Sequence, residues 1–355
     1  MSKVLKKIKK HEFVLIAEIG VNYYDIAKKL HVPLLDAAKA MILAACNAGI
    51  DAVKFQSYKA DTLASVNSPA YWDTSEEKTK SQYELFKKFD VFGEQEYQHL
   101  AEYSQQIGIE FCSTPFDFDS ADYLDKMMDF YKISSSDLTN LPFVAYIAKK
   151  NKPILLSVGA SNVDEIETTV NLIKQYNQQP LVLLHCVLEY PTPYAHANLK
   201  KIKTLQEHFP DAYIGYSDHT KPDANYEVLK TAYAMGARVI EKHFTLDKKL
   251  QGNDHYHAMD PHDAEQIIKG LTFIEQISGQ GELKCLDSEL KARANARRSI
   301  VLKKALKKGA VIRKEDLTYK RPGSGISPKD EAKVIGKKVM RDIPADSILS
   351  WSDLL

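Results

Sequence analysis

Short apolar runs alternate with longer stretches of helical spacing along most of the chain. The runs lie at 13–19, 51–56, 109–113, 130–133, 153–158, 181–187, 212–216 and 238–242. They are rich in Val, Ile and Leu and lack polar alternation, which suits parallel strands covered on both faces. Between them, Val163, Ile166, Val170 and Ile173 recur at the interval of one helical face over 162–175. Ser161 followed by Asp164 resembles a capping box for that helix. An Ala-rich helix over 35–48 stops at Gly49, and another over 225–235 stops at Gly236. A last helix is expected over 262–277. Eight strand–helix units in about 280 residues predict an α/β fold, a (β/α)8 TIM barrel. A doubly wound open sheet is the rival, but the first run lacks the GxGxxG turn that such sheets place after it.

Two segments depart from a minimal barrel. The connection over 58–90 far exceeds the usual ~2–6 residues and carries Pro69, Tyr71, Trp72 and Tyr83. It is either a packed excursion without a role or a partial lid over the site. After Gln280 the composition changes. A charged helical linker is expected over 283–298, followed over 299–355 by short β-rich pieces punctuated by Gly309, Pro322, Gly323, Gly325 and Pro344. The expected organisation is therefore a catalytic barrel over 1–282, a linker helix and a small β-rich domain.

Composition narrows the function. Lys and Arg total 48 against 47 Asp and Glu, a balance that removes the electrostatic footprint of a dedicated nucleic-acid binder. No apolar run approaches the ~20 residues of a transmembrane helix. The apolar run over 13–17 is too short for a signal-peptide core. Cys46, Cys112, Cys186 and Cys285 are widely spaced, as in reduced thiols of a cytoplasmic protein.

Barrel enzymes carry their chemistry at the carboxyl ends of the strands. Those positions hold Glu18, Lys54, Gln56, Thr114, Lys132, Ser135, Asp137, Ser157, His185, Tyr190, Ser217, His219, Glu241 and His243. The lysines, hydroxyls and Gly159 suit a phosphate, which wants several donors and compact positive charge. Lys54 interrupts an apolar strand, a costly placement unless it meets an anion. His219 and His243, from adjacent strand ends, can share one divalent cation and leave positions open for water and substrate. Glu18 is a candidate base across the mouth. His185 reads as a core histidine, and His255 and His257 as residues of a solvated rim. Spacing alone supports a metal-assisted barrel enzyme acting on a phosphorylated compound.

At these residues the sequence resembles the sialic acid synthases, the phosphoenolpyruvate-dependent synthases of nonulosonic acids. The motifs are Ala17-Glu18-Ile19-Gly20, Val53-Lys54-Phe55-Gln56, Ser113-Thr114-Pro115-Phe116, Tyr190-Pro191-Thr192-Pro193-Tyr194, Gly215-Tyr216-Ser217-Asp218-His219-Thr220 and Glu241-Lys242-His243-Phe244-Thr245. The last segment, with Lys320-Arg321-Pro322-Gly323-Ser324-Gly325, resembles their antifreeze-like SAF domain. The resemblance implies a divalent metal, Mn2+ with Mg2+ or Co2+ as alternatives, on His219 and His243. It implies phosphoenolpyruvate on Lys54, Thr114, Lys132, Ser135, Ser157 and Ser217, and acidic roles near the reacting centre for Glu18 and Asp254. It also implies a domain-swapped homodimer in which Arg321 reaches the acyl-amino group of the sugar bound by the other subunit.

The sequence departs from the family pattern at Asn22-Tyr23, at Asp137 where a Glu is usual, at Leu188 where an Asn is usual, and at Gly252-Asn253-Asp254-His255. These changes cluster on the acceptor side, which leaves the sugar open between N-acetylmannosamine and a related deoxy sugar. The implied reaction joins phosphoenolpyruvate to an open-chain 2-acylamino-hexose, giving a nonulosonic acid and phosphate. The rivals are another phosphoenolpyruvate aldol-type synthase, using a phosphorylated aldose, and a non-catalytic carbohydrate-binding protein.

Overall fold

The computed structural model describes every residue except Met1, Asp73, Ser75, Glu76 and Asn253. Three of these fall in the long connection over 58–90, and Asn253 belongs to the loop that departs from the family pattern, so these positions lie outside the described residues. The chain divides into two units, Met1–Gly279 and Gln280–Leu355.

In the first unit the apolar runs form β1 (Val14–Gly20), β2 (Ala52–Ser57), β3 (Glu110–Pro115), β4 (Tyr131–Ile133), β5 (Ile154–Ser157), β6 (Leu181–Cys186), β7 (Tyr213–Asp218) and β8 (Val239–His243). They make one parallel sheet in the order β3-β2-β1-β8-β7-β6-β5-β4, with helices between successive strands. β3 and β4 lie side by side at the seam of the ring without a ladder among the described residues, and the Ser113 amide is directed at the Met128 sulphur at 3.0 Å. The predicted (β/α)8 barrel is the observed fold.

Register decides which side chains meet. Glu18 is level with Lys54 on one side and His243 on the other. Ser217 is level with Glu241, and Gln56 with Thr114. Because side chains alternate along a strand, Glu241 and His243 reach the barrel mouth while Lys242 turns away, pairing with Asp218 and donating to the Thr220 carbonyl at 2.7 Å.

The amino-terminal helix Lys3–Lys9 covers the opposite end of the barrel. The Val4 amide donates to Glu110 at 3.0 Å, Lys7 pairs with Asp51 at 2.8 Å, and Val4 and Ile8 are fully buried. The site is thereby left to the carboxyl end.

The helix expected over 162–175 runs Val163–Tyr176, and its start differs from the Ser161–Asp164 pattern. The Glu165 carboxylate accepts the Asn162 amide at 2.8 Å, while the Ser161 hydroxyl donates to the Gly159 carbonyl at 3.0 Å. Gly49 and Gly236 both have positive φ, +83° and +112°, as terminators of their helices require.

The long connection is ordered around two short helices, Ala60–Leu63 and Gln82–Lys88, and a Pro69–Ser81 bridge. Trp72 is buried and its indole N–H reaches the Glu77 and Thr79 carbonyls, each at 3.2 Å. Lys59 ties the base of the excursion to the Phe92 carbonyl at 2.8 Å.

The second unit has its own core, with Ile300, Ile312, Val334, Val339 and Leu349 fully buried. β9 (Ser299–Leu302) pairs antiparallel with β10 (Leu317–Lys320), and single bridges such as Val311–Lys338 and Val301–Ile348 complete it. Ahead of β9, the helical part of the linker segment is a 3-10 turn, Asp287–Glu289, and a helix, Leu290–Ala296.

Candidate active site

At the carboxyl end of the barrel a cavity of about 400 Å³ opens among Glu18, Lys54, Thr114, Lys132, Ser157 and Ser217. Gln56, Ser135, Tyr190, Glu241 and both strand-end histidines also face it. The Lys54 ammonium lies 2.5 Å from Glu18 Oε2, donates to Thr114 Oγ1 at 3.0 Å, and stands 3.8 Å from Glu241. Lys132 stands 3.5 Å from the same Glu241 oxygen, which also accepts the Ser217 hydroxyl at 3.0 Å. Two ammonium groups and two carboxylates thus share one chamber, all of them buried. The Ser157 hydroxyl is buried with no hydrogen-bond partner among the described residues, and an unmade bond of this kind costs about 1–3 kcal/mol. A phosphate oxygen would satisfy it.

The two carboxylates differ in character. Burial lifts the Glu18 carboxyl above its usual range, against the pull of Lys54. Burial also works to lift Glu241, but Lys132, Lys54 and the Ser217 hydroxyl hold it below the usual range. Burial opposes the charge on Lys54, yet Glu18 and Glu241 raise its pKa. Glu241 is therefore the carboxylate whose charge its surroundings favour, and Glu18 the one whose charge burial disfavours.

Beside the lysines stand the histidines. His219 Nδ1 is 2.7 Å from the Val187 carbonyl, a bond that makes Nδ1 the donor and leaves Nε2 as a lone-pair ligand. Burial pushes His219 down to about 4 and His243 well below its ordinary value, so both imidazoles are neutral. His243 Nδ1 is buried and without a hydrogen-bond partner among the described residues. The two rings lie with centroids 5.4 Å apart. Neutral, buried imidazoles that line the cavity fit a divalent cation. Burial and the charge of Glu18 lift nearby Asp254 to about 7.

A second cavity, of about 760 Å³, adjoins the first through Gln56, Tyr190 and His243. Its outer wall is the long connection, which contributes Tyr58, Tyr71, Trp72, Leu85, Phe86 and Phe89. Asp25, Asn22 and Asp254 supply its polar side. The connection over 58–90 thus lines this second cavity.

Of the residues singled out in the sequence, Asp137 lines neither cavity; its carboxylate accepts the Asn140 amide at 3.2 Å. Arg321 is exposed in the turn after β10, on the second unit. His185 is a core residue, bonded to the Ala197 carbonyl at 2.8 Å and stacked on Tyr216. His255 and His257 are not rim residues: they are 1% and 0% exposed, because the loop after β8 folds inward. His255 holds that loop through Thr245 at 2.8 Å. The central position of Glu241 went unassigned in the sequence, although its parity with His243 on one strand marks it as facing the mouth.

The NeuB family profile matches residues 41–283, and the SAF domain profile matches residues 297–355. The chain belongs to the NeuB family. It is 39% identical over 347 residues to the N,N'-diacetyllegionaminic acid synthase of Legionella pneumophila, which spans 96% of this chain and 94% of that protein. It is 36% identical over 341 residues to the N,N'-diacetyllegionaminic acid synthase of Campylobacter jejuni, across 95% of this chain and 98% of that one. The N-acetylneuraminic acid (sialic acid) synthetase of Leptospira borgpetersenii, solved with citrate, superposes with a TM-score of 0.68 at 33% identity, covering 79% of this chain and 90% of that one. NeuB membership makes the chain a phosphoenolpyruvate-dependent transferase of the nonulosonic acid synthase type. Among its described residues, no single helix is long and apolar enough to cross a membrane.

Proposed function

We propose that this enzyme condenses phosphoenolpyruvate with the open-chain form of a diacetamido-trideoxyhexose, giving a legionaminic-type acid and phosphate. The observation that carries the reading is the pair of adjoining cavities, one built for an anion and one walled by aromatic side chains, meeting at Gln56, Tyr190 and His243. An acceptor with two acetamido groups and a methyl in place of a hydroxyl offers apolar surface to Trp72, Phe86 and Phe89. N-acetylmannosamine would present more hydroxyls to the same wall, at a desolvation cost. The names of the two legionaminic acid synthases point the same way.

Lys54, Lys132, Thr114, Ser135, Ser157 and Ser217 hold the phosphate and carboxylate of phosphoenolpyruvate. Gln56 and Tyr190 orient the two substrates at the junction, and Asp137 supports the strand-four loop from behind. The methylene carbon of phosphoenolpyruvate attacks the aldehyde carbon, forming the new C–C bond and leaving cationic character at C2. The aldehyde oxygen takes up a proton and becomes a hydroxyl. Water adds at C2 with Glu18 accepting one of its protons. The resulting C2 hydroxyl gives up its remaining proton as the C–O bond breaks and phosphate leaves with the bonding pair, so that C2 becomes the ketone. Asp254 serves the aldehyde end of the site. A divalent ion of the manganese type, held by His219 and His243, supplies Lewis-acid polarisation of the aldehyde oxygen when bound. Holding both substrates together contributes up to ~7–11 kcal/mol through proximity and orientation.

Arg321 completes the acceptor site from the second unit of the partner subunit in a domain-swapped homodimer, where its planar fork of donors suits an amide carbonyl. The reaction takes place in the cytoplasm, where phosphoenolpyruvate is available. An acceptor panel with phosphoenolpyruvate and Mn2+, read by phosphate release and product mass, tests the reading. The diacetamido-trideoxyhexose is expected to exceed N-acetylmannosamine by at least ~10-fold in kcat/KM, the discrimination one or two apolar groups supply. Turnover confined to phosphorylated aldoses would replace it with the aldol-type rival.

A further inference from the structure

Three imidazoles converge at the mouth of the barrel. His257 comes from the loop after β8, and its ring centroid lies 4.8 Å from that of His243 and 6.2 Å from that of His219. The three rings are inclined to one another by 50° to 86°, so none stacks on another. His257 is fully buried, and neither of its ring nitrogens has a hydrogen-bond partner among the described residues.

That is an expensive arrangement for a residue with only a packing role. An unsatisfied buried polar group costs about 1–3 kcal/mol, and an apolar side chain would fill the space beside Tyr190 and Tyr256 without it. The distances around Asp254 say what the nitrogens await. Its carboxylate oxygens lie 3.8 Å from His243 Nδ1 and 3.9 Å from His257 Nε2, too far for hydrogen bonds. Ligand atoms held ~2.0–2.2 Å from one ion stand roughly 3–4 Å from each other. His243, Asp254 and His257 each offer a ligand atom within 4.8 Å of the others.

We propose that His257 is a third imidazole ligand, so that His219, His243 and His257 hold one divalent cation with the Asp254 carboxylate beside it. The inference rests on the metal reading given under Proposed function and extends it. Three imidazoles form a nitrogen-rich donor set that favours Co2+, Ni2+ or Zn2+ over Mg2+, which prefers oxygen ligands. This chain should therefore bind those borderline ions far more tightly than Mg2+.

X-ray absorption spectroscopy on the Co2+- or Zn2+-loaded wild-type protein counts the imidazoles directly through their outer-shell scattering, and needs no variant. Three are expected, and two would overturn the proposal. Co2+ titration by calorimetry and visible absorption gives a second reading. His257→Ala and His257→Asn should each weaken Co2+ binding by at least ~10-fold and change its ligand-field spectrum. Unchanged affinity in a folded His257 variant, with binding lost in His219→Ala, would overturn the third ligand while leaving the two-histidine site standing. Absence of saturable Co2+ binding by the wild-type protein would overturn the metal reading itself, and this inference with it.

Discussion

Glu18 Oε2 and Lys54 Nζ stand 2.5 Å apart at one level of the barrel, each 3% exposed, with His243 on the far side of Glu18. The pair joins stability to function, because neither charge tolerates burial alone. Lys54→Met is expected to destabilise the barrel by about 3–5 kcal/mol, leaving Glu18 uncompensated. The double variant Lys54→Met/Glu18→Gln should recover most of that loss in a denaturant melt and none of the turnover. If the double variant is no more stable than Lys54→Met, the pair is not the source of the loss.

Lys132 separates binding from stability more cleanly. It sits 3.5 Å from Glu241, which keeps a second ammonium, Lys54, and the Ser217 hydroxyl. Lys132→Met should raise KM for phosphoenolpyruvate by at least ~10-fold, a loss of about 1.4 kcal/mol, with KM for the sugar changing little. Equal effects on both constants would assign Lys132 a structural role.

The barrel was legible because eight runs lack polar alternation, and period-two parity within them even sorts the side chains. In β8 it sends Glu241 and His243 to the mouth and Lys242 to the Asp218 pair. The loops were less legible, because nothing in local pattern says which way a polar loop folds. His255 and His257 look solvated in sequence and are buried only because the loop after β8 turns inward, held by the Thr245–His255 contact at 2.8 Å. The same limit hid the role of the connection over 58–90. Its aromatic residues are spaced irregularly and line one cavity only in the folded chain, where the Trp72 indole is held by the Glu77 and Thr79 carbonyls.

That wall supplies a specificity prediction. Phe86 packs against Tyr58 at a centroid distance of 5.3 Å, and both line the larger cavity with Trp72. Truncating a buried aromatic removes about 3–5 kcal/mol of packing in a core, less at a half-open wall. Phe86→Ala and Trp72→Ala should each raise KM for the sugar by at least ~10-fold, about 1.4 kcal/mol, and leave KM for phosphoenolpyruvate within about 2-fold. Steady-state kinetics with each substrate varied in turn would show it, and a parallel rise in both constants would remove the wall from acceptor binding.

The histidines proposed to hold the ion differ from these in kind, since on that reading they would supply chemistry and not affinity for the sugar. His219→Ala should lower turnover by more than ~10-fold even at saturating Mn2+, because it removes an imidazole whose orientation is fixed through the Val187 carbonyl at 2.7 Å. Chelation of the wild-type enzyme should have the same effect and be reversed by adding back Mn2+ or Co2+. Retention of full turnover after exhaustive chelation would remove the ion from the reaction.

Arg321 carries the last prediction, because it tests the assembly and the site together. It is exposed on a unit with its own small core, joined to the barrel unit through a segment whose helical part is short. The helix Leu290–Ala296 spans about 10 Å at ~1.5 Å per residue, and the proposed two-fold dimer requires the segment around it, at up to ~3.3 Å per non-helical residue, to carry Arg321 to a neighbouring barrel. Arg321→Ala should then raise KM for the sugar and leave phosphoenolpyruvate binding intact. At sugar concentrations far below that raised KM, where neither variant turns over on its own, the two proteins can be combined to show where the arginine acts. In a hybrid of His219→Ala with Arg321→Ala, one site joins an intact barrel to an intact arginine from the other chain. Random subunit exchange at equal concentrations makes half the dimers hybrid, each with one sound site of two, so activity should return to about a quarter of wild type. Exchange confirmed by mass spectrometry without any recovery would place Arg321 in its own subunit's site, or outside the site altogether.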